Sequence, residues 1–288
     1  MAKKPTQKEE IGTTGHSWDG IEELNTPLPR WWLWTFYACI AVAFVYSLAY
    51  PAWPGIHKAS AGFMGWSTRG DVAAEIAAHE AQLGPINEKL ASAELTEIAG
   101  DPELQGYAVS AGAAVFKTWC AQCHGSGAAG AKGYPNLLDD DWLWGGDIEA
   151  IHQTISFGVR SEDSEDTRFS QMPAFGRDEL LEPVQIDQVV NYVMSLSGDP
   201  MDASMVADGA VVFEENCAAC HAEDGTGDIY QGAPNLTDAI WLYGGDFDTI
   251  KETVTNARYG VMPNWNARLS EAQIRAVASY VHQLGGGE

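Results

Sequence analysis

Residues 119–130 read WCAQCHGSGAAG, and at their centre Cys120-x-x-Cys123-His124 brings two thiols and an imidazole onto one helical turn. Three chemistries use such a triplet: a zinc site, a dithiol redox pair and covalent capture of heme. The triplet returns in NCAACHAEDGTG at 216–227, with Cys217, Cys220 and His221 at an offset of 97. Structural zinc takes four ligands, and each copy supplies one cysteine pair and one histidine. Joining the copies into a four-cysteine site would leave both histidines without a role. A thioredoxin-like dithiol needs a strand-helix-strand setting that neither copy offers. Heme capture uses every element: both sulfurs add to the porphyrin vinyl groups as thioethers, and the adjacent imidazole reaches the iron.

Around each triplet the same features recur in the same order, so the chain contains a duplicated domain. Phe116 and Phe213 each stand four residues before the first cysteine. Downstream come YPNL (134–137) and APNL (233–236), then DWLWGGD (141–147) and IWLYGGD (240–246), the latter pair at an offset of 99. Met172-Pro173 and Met262-Pro263 follow at an offset of 90. Each copy closes with a helical pattern: apolar residues at 186, 189, 190, 193 and 196 in the first, and at 274, 277, 281 and 284 in the second. Ser270 and Gln273 form a capping box ahead of the second. The change in offset places nine additional residues in the first copy between Ile155 and Met172, including the acidic run SEDSED at 161–166. That run reads either as a solvated loop or as a docking patch for a basic partner.

The second face of each iron needs a ligand from elsewhere in the chain, and a thioether beside a proline suits it. Met172 lies 48 residues after His124, and Met262 lies 41 after His221. Both separations let the chain wrap a heme and return, so spacing alone fits either methionine on either heme. His/Met coordination raises the potential and fills the iron, which suits electron transfer. The carbonyls of Pro135 and Pro234 are placed to accept the other imidazole N–H, fixing its tautomer. Trp142, Trp144, Trp241 and Tyr243 form an aromatic core or line the heme edge.

From Trp31 there are 27 residues without Asp, Glu, Lys or Arg, ending at Lys58, enough for one membrane span closed by Pro51 and Pro54. Tryptophans 31, 32, 34 and 53 sit where interfacial anchors belong. A cleaved leader would need 30 residues carrying five acids before its apolar core, which fits a signal peptide poorly. Lys3, Lys4, Lys8 and Arg30 precede the span, against Lys58 and Arg69 in the next twenty residues, a bias toward a cytoplasmic N-terminus. Cys39, inside the span, reads as a small packing residue. The formal charge of -24 disfavours a nucleic-acid partner and favours a basic protein one. Only five of the 40 acids precede residue 55.

The division that follows is a cytoplasmic segment at 1–30, a transmembrane helix at 31–54, a helical tether at 55–106 broken by Pro85, and two cytochrome c domains at 107–199 and 200–288. The fold expected is all-α: two tandem class I cytochrome c domains on one N-terminal membrane helix, facing the periplasm, where heme is attached.

DGIEELNTPLPRWW (19–32), Tyr50-Pro51 and the paired PNL, W-L-x-G-G-D and Met-Pro signatures together resemble subunit III of the cbb3-type cytochrome c oxidases. The resemblance covers nearly the whole chain, and the segment before the span is its discriminating part. It implies a non-catalytic diheme subunit in the bacterial inner membrane. Such a subunit takes electrons from a soluble or membrane-bound cytochrome c and passes them through monoheme subunit II to catalytic subunit I, where oxygen is reduced to water and protons are pumped. It also implies crossed ligation, with Met172 on the heme of Cys217 and Cys220, and Met262 on that of Cys120 and Cys123. A stand-alone tethered diheme carrier is the alternative function. A diheme peroxidase would need an open iron face, whereas a Met-Pro is available for each heme.

Overall fold

The computed structural model describes residues 11–238 and 240–287. Lys3, Lys4 and Lys8, counted above toward orientation, lie outside them. The chain divides into two compact units, Met1–Gln82 and Leu83–Glu288.

In the first unit, β1 (Thr13–Trp18) and β2 (Ile21–Leu24) form an antiparallel hairpin. Asp19 and Gly20 make its two-residue turn, both at positive φ (54° and 84°), which is the turn Asp-Gly favours because it matches the strand twist. An all-α expectation therefore fails for this segment. The apolar run forms α1 (Arg30–Ala49), whose side chains are nearly all exposed, as a lipid-facing helix requires. It stops at Tyr50, before Pro51, and its last carbonyls are met from beyond the turn, where Phe63 N–H donates to Leu48 and Met64 N–H to Ala49.

Next in chain order comes α2 (Thr68–Ser92), with Pro85 inside it. The expected break at Pro85 does not occur. Alanine, glutamate and leucine on both sides favour helix strongly enough that the proline removes one hydrogen bond without ending the element. Nor is 55–106 a bare tether: Leu90, Ile98 and Leu104 are buried together with Ala108, Ala272 and Ala276.

The remaining helices are α3 (Pro102–Val115), α4 (Ala121–His124), α5 (Ile148–Phe157), α6 (Pro183–Ser197), α7 (Val206–Asn216), α8 (Ala218–His221), α9 (Phe247–Asn256) and α10 (Glu271–His282). The duplicated W-L-x-G-G-D motif ends in the N-caps of α5 and α9: Asp147 accepts from Ala150 N–H at 2.7 Å and Asp246 from Thr249 N–H at 3.0 Å. Ser270 and Gln273 form the expected capping box of α10.

The hydrophobic cores do not follow the division at 199/200. One joins Val115, Phe116, Ile148, Ile151 and Ile155 of the first copy to Trp265, Leu269, Ile274, Val277 and Val281 of the second. The other joins Phe175, Ile186, Val189, Val190 and Val193 of the first copy to Val212, Phe213, Leu236, Ile250 and Val254 of the second. So α3 packs on α10, and α7 on α6. The copies have exchanged their closing helices. The exchange is built at two equivalent crossings: a Cβ on Gly112 would lie 2.1 Å from Ala276 O, and one on Gly209 would lie 2.1 Å from Gln188 O. Only glycine admits so close a helix contact. Phe116 against Tyr280 (5.5 Å) and Phe213 against Tyr192 (5.1 Å) seal the crossings.

Candidate heme sites

A short helical turn presents each triplet. Cys120 ends a π-helical segment, Phe116–Cys120, and α4 carries Cys123 and His124; Cys217 caps α7, and α8 carries Cys220 and His221. None of the four thiols is in a disulfide, and Cys120 and Cys217 are half-buried whereas Cys123 and Cys220 are exposed. Burial, and then the neighbouring thiol, pushes Cys120 and Cys217 each up to about 11.

Both imidazoles are oriented alike. Nδ1 of His124 lies 3.1 Å from Pro135 O, and Nδ1 of His221 lies 3.1 Å from Pro234 O. With Nδ1–H donating to the proline carbonyl, Nε2 is left as the free lone pair, the arrangement of a metal-ligating histidine. Burial holds both rings below the ordinary imidazole value, only partly offset by the proline carbonyls. The asparagines of the PNL motifs shape the turns that aim those carbonyls: Asn136 accepts from Leu138 N–H, and Asn235 from Thr237 N–H.

The methionines follow the exchanged helices. Met262 packs on the core that contains Cys120, and Met172 on the core that contains Cys217. Backbone bonds hold them there. Val159 and Met262 exchange N–H···O bonds of 2.9 and 3.0 Å, and Trp265 N–H donates to Ile155 O at the end of α5. At the equivalent place, Phe175 N–H donates to Val254 O at the end of α9. Trp142 and Trp241 pack on the first and second cores respectively, while Trp144 and Tyr243 lie under arginines.

This donor set fits heme c. Each triplet supplies two thiols for carbon-sulfur bonds and one imidazole, and one thioether packs on the same core as its first cysteine, while among the described residues no three His, Cys, Asp or Glu side chains gather to hold a bare metal ion. The acidic run at 161–166 is a loop with its four carboxylates exposed. It is pinned at its base, where Ser161 Oγ donates to Asn264 Oδ1 at 3.0 Å.

Where the two halves meet, a cleft of about 530 Å³ is lined by Asp140, Asp141, Asp228 and Asp238. Burial, then Asp238, Asp139 and Asp140, pushes the Asp141 carboxyl up to about 6. Between the ordinary carboxylate range near 4 and about pH 6, the folded state binds a proton that the unfolded chain lacks. Stability is therefore lost as pH rises through this window. Asp141→Asn is expected to raise the Tm at pH 7 and to lose that gain by pH 4. Equal shifts at both pH values in calorimetry would contradict this origin.

Duplicated heme-attachment turns in mostly helical packing, behind one apolar N-terminal helix, define a tandem cytochrome c. Residues 108–193 and 204–281 match the family described as cytochrome c oxidase, cbb3-type, subunit III, and residues 10–57 match the N-terminal domain of cytochrome oxidase-cbb3, FixP. The chain belongs to the family of cbb3-type cytochrome c oxidase subunit III. It is 61% identical over the full length of both chains to the cbb3-type cytochrome c oxidase subunit CcoP of Cereibacter sphaeroides. Identity is 57%, again at full coverage of both, to the CcoP subunit of Rhodobacter capsulatus. It is 54% to the FixP subunit of a Bradyrhizobium species, over 96% of this chain and 95% of that one. Membership places the chain among the heme c subunits of a membrane-anchored oxidoreductase complex.

The motif reading contained the cysteines, histidines, methionines and prolines now in these places. It missed the crossing glycines and a set of arginines near the Met-Pro segments. Both carry a repeat signal, since Gly112 and Gly209 share the offset of the cysteines.

Proposed function

We propose that the chain binds two hemes c covalently, one on Cys120 and Cys123 and one on Cys217 and Cys220. His124 and Met262 are the axial ligands of the first, and His221 and Met172 those of the second. The observation that carries this reading is that Cys120, on the turn of the oriented His124, packs on the same core as Met262, and Cys217, on the turn of the oriented His221, packs on the same core as Met172. The hemes supply a one-electron couple. The protein's own part is to hold Nε2 of each histidine free by engaging Nδ1 with a proline carbonyl, and to bring a thioether from the exchanged segment. The apolar cores keep water from the second face. With both faces filled, the sites transfer electrons and leave oxygen chemistry to another subunit.

The donor is a basic cytochrome c, drawn by the acidic excess beyond residue 55, and the acceptor is the monoheme subunit II of a cbb3-type oxidase. Subunit I then reduces oxygen to water with proton pumping. The anchor α1 spans the inner membrane with its N-terminus in the cytoplasm and the modules in the periplasm. Purification in mild detergent tests this directly. The chain is expected to travel with a polytopic heme-copper subunit and a monoheme cytochrome, and oxygen consumption from a basic cytochrome c is expected to fall as salt rises. Isolation of the chain alone, or a high-spin heme with peroxide turnover, would contradict it.

A further inference from the structure

Against 40 acidic side chains the sequence sets only 16 basic ones, and yet among the described residues Arg160, Arg168 and Arg258 have no carboxylate at ion-pair distance. Each lies over an aromatic ring instead. Arg168 is 5.4 Å from the centre of a Trp144 ring, Arg258 is 4.8 Å from that of Tyr243, and Arg160 is 5.4 Å from that of Tyr259.

Two of these pairs are copies of one another. Arg168 and Arg258 each stand four residues before a Met-Pro, in RFSQMP (168–173) and RYGVMP (258–263). Their platforms, Trp144 and Tyr243, occupy the same place in the two W-L-x-G-G-D motifs. The platforms also cross between the halves in the same way: a Cβ on Gly232 would lie 2.3 Å from Trp144, and one on Gly133 would lie 3.3 Å from Tyr243. Gly133 N–H donates to Leu242 O beside it, at 2.9 Å. Duplication has therefore kept a whole device, an arginine on an aromatic plate beside a Met-Pro.

The guanidiniums are underused by the protein. Arg168 donates from Nη2 to Ala150 O at 3.3 Å while its buried Nε has no partner. Arg258 donates from Nε to Thr253 Oγ1 at 3.1 Å. Arg160 is committed to the carbonyls of Gly260 and Ser170 and has no repeat counterpart, so it serves the backbone. A partly buried guanidinium with free donors carries a desolvation penalty that an anion offsets best, because the planar fork matches a carboxylate. Burial pushes Arg168 below the ordinary guanidinium value, with Asp147 offsetting it in part.

We propose that Arg168 on Trp144 and Arg258 on Tyr243 receive the propionate carboxylates of the two hemes, one pair per heme. The proposal rests on the diheme reading above and adds to it the residues that hold the anionic edge. The thioethers fix the vinyl edge of a heme c at its Cys-x-x-Cys turn, and the carboxylates leave from the remote edge. Their receivers must then come from other segments, as these four residues do. A cation at the propionates also disfavours the ferric charge, so each pair raises the potential of its heme.

The test uses the full-length chain with Arg168→Gln, Arg258→Gln and the corresponding Lys variants. Covalent heme per chain is counted and both midpoint potentials are titrated spectroelectrochemically. Two hemes are expected to remain. Arg168→Gln is expected to lower the potential of one heme and Arg258→Gln that of the other. Each shift should be about tenfold in the iron's redox equilibrium, or about 59 mV for one electron. Lysine is expected to restore most of each shift. Unchanged potentials in chains that keep both hemes would overturn the proposal alone, whereas a wild-type chain without covalent heme would overturn the diheme reading with it. Should a Gln variant lose its heme, redox-difference infrared spectra of chains with carbon-13-labelled propionates decide the matter. Carboxylate bands that move in the Lys variants support the pairs, and bands of freely hydrated carboxylates overturn them.

Discussion

Replacing Gly112 by leucine is expected to dismantle the core around Cys120 while leaving the one around Cys217 standing. A single Cβ at this position already falls 2.1 Å from Ala276 O, on the neighbouring helix rather than on a movable side chain. A leucine would have to separate α3 from α10. Overpacking a core typically costs about 1–3 kcal/mol. Here the separation would also uncover Ala108, Ile274 and Val277, each 1% exposed or less, so the loss should reach about 3 kcal/mol or more. Since α10 belongs to the second copy, this core cannot close until that copy has been made. Thermal unfolding and heme retention give the readout: Gly112→Leu should release structure around the heme of Cys120 and Cys123, and Gly209→Leu around the other. A Gly112→Leu chain with an unchanged Tm would contradict the exchanged packing.

Removing a thioether should have the largest electronic effect. Met172→Leu keeps size and apolarity, so the core around Val212 and Phe213 should hold. The heme of Cys217 and Cys220 should lose its sulfur ligand and fall in potential by on the order of 0.1 V, out of the roughly 0.8 V that axial ligands command. Both hemes should stay attached, because the thioether bonds to the cysteines are untouched. A shift confined to the heme of Cys120 and Cys123 would contradict the assignment.

Much of the site was legible in the sequence because its elements are local or duplicated. Cys-x-x-Cys-His is one helical turn, and the prolines lie 11 and 13 residues after their histidines, within reach of a single loop. The periodicities at 186–196 and 274–284 gave both closing helices, with Ile186, Val189, Val190 and Val193 and then Ile274, Val277 and Val281 buried. Exchange of those helices was not legible from spacing. Each closing helix has the same apolar stripe, and the 48- and 41-residue separations are long enough to close either core. Core membership and the close crossings at Gly112 and Gly209 decide between partners. The hairpin at 13–24 was missed although Asp19-Gly20 is a turn signal, because β1, with His16 and Ser17, lacks an apolar alternation. In α2 the Gly84-Pro85 pair was given too much weight against twenty-five residues of helix-favouring context.

Crossed ligation is tested most directly in a chain reduced to one heme. With Cys217 and Cys220 both replaced by alanine, only the heme on Cys120 and Cys123 remains, and the methionine methyl resonance shifted by its iron can be followed by nuclear magnetic resonance. Adding Met262→Leu is expected to abolish that resonance, and adding Met172→Leu is expected to leave it in place. The reverse result, loss with Met172→Leu and retention with Met262→Leu, would contradict the account.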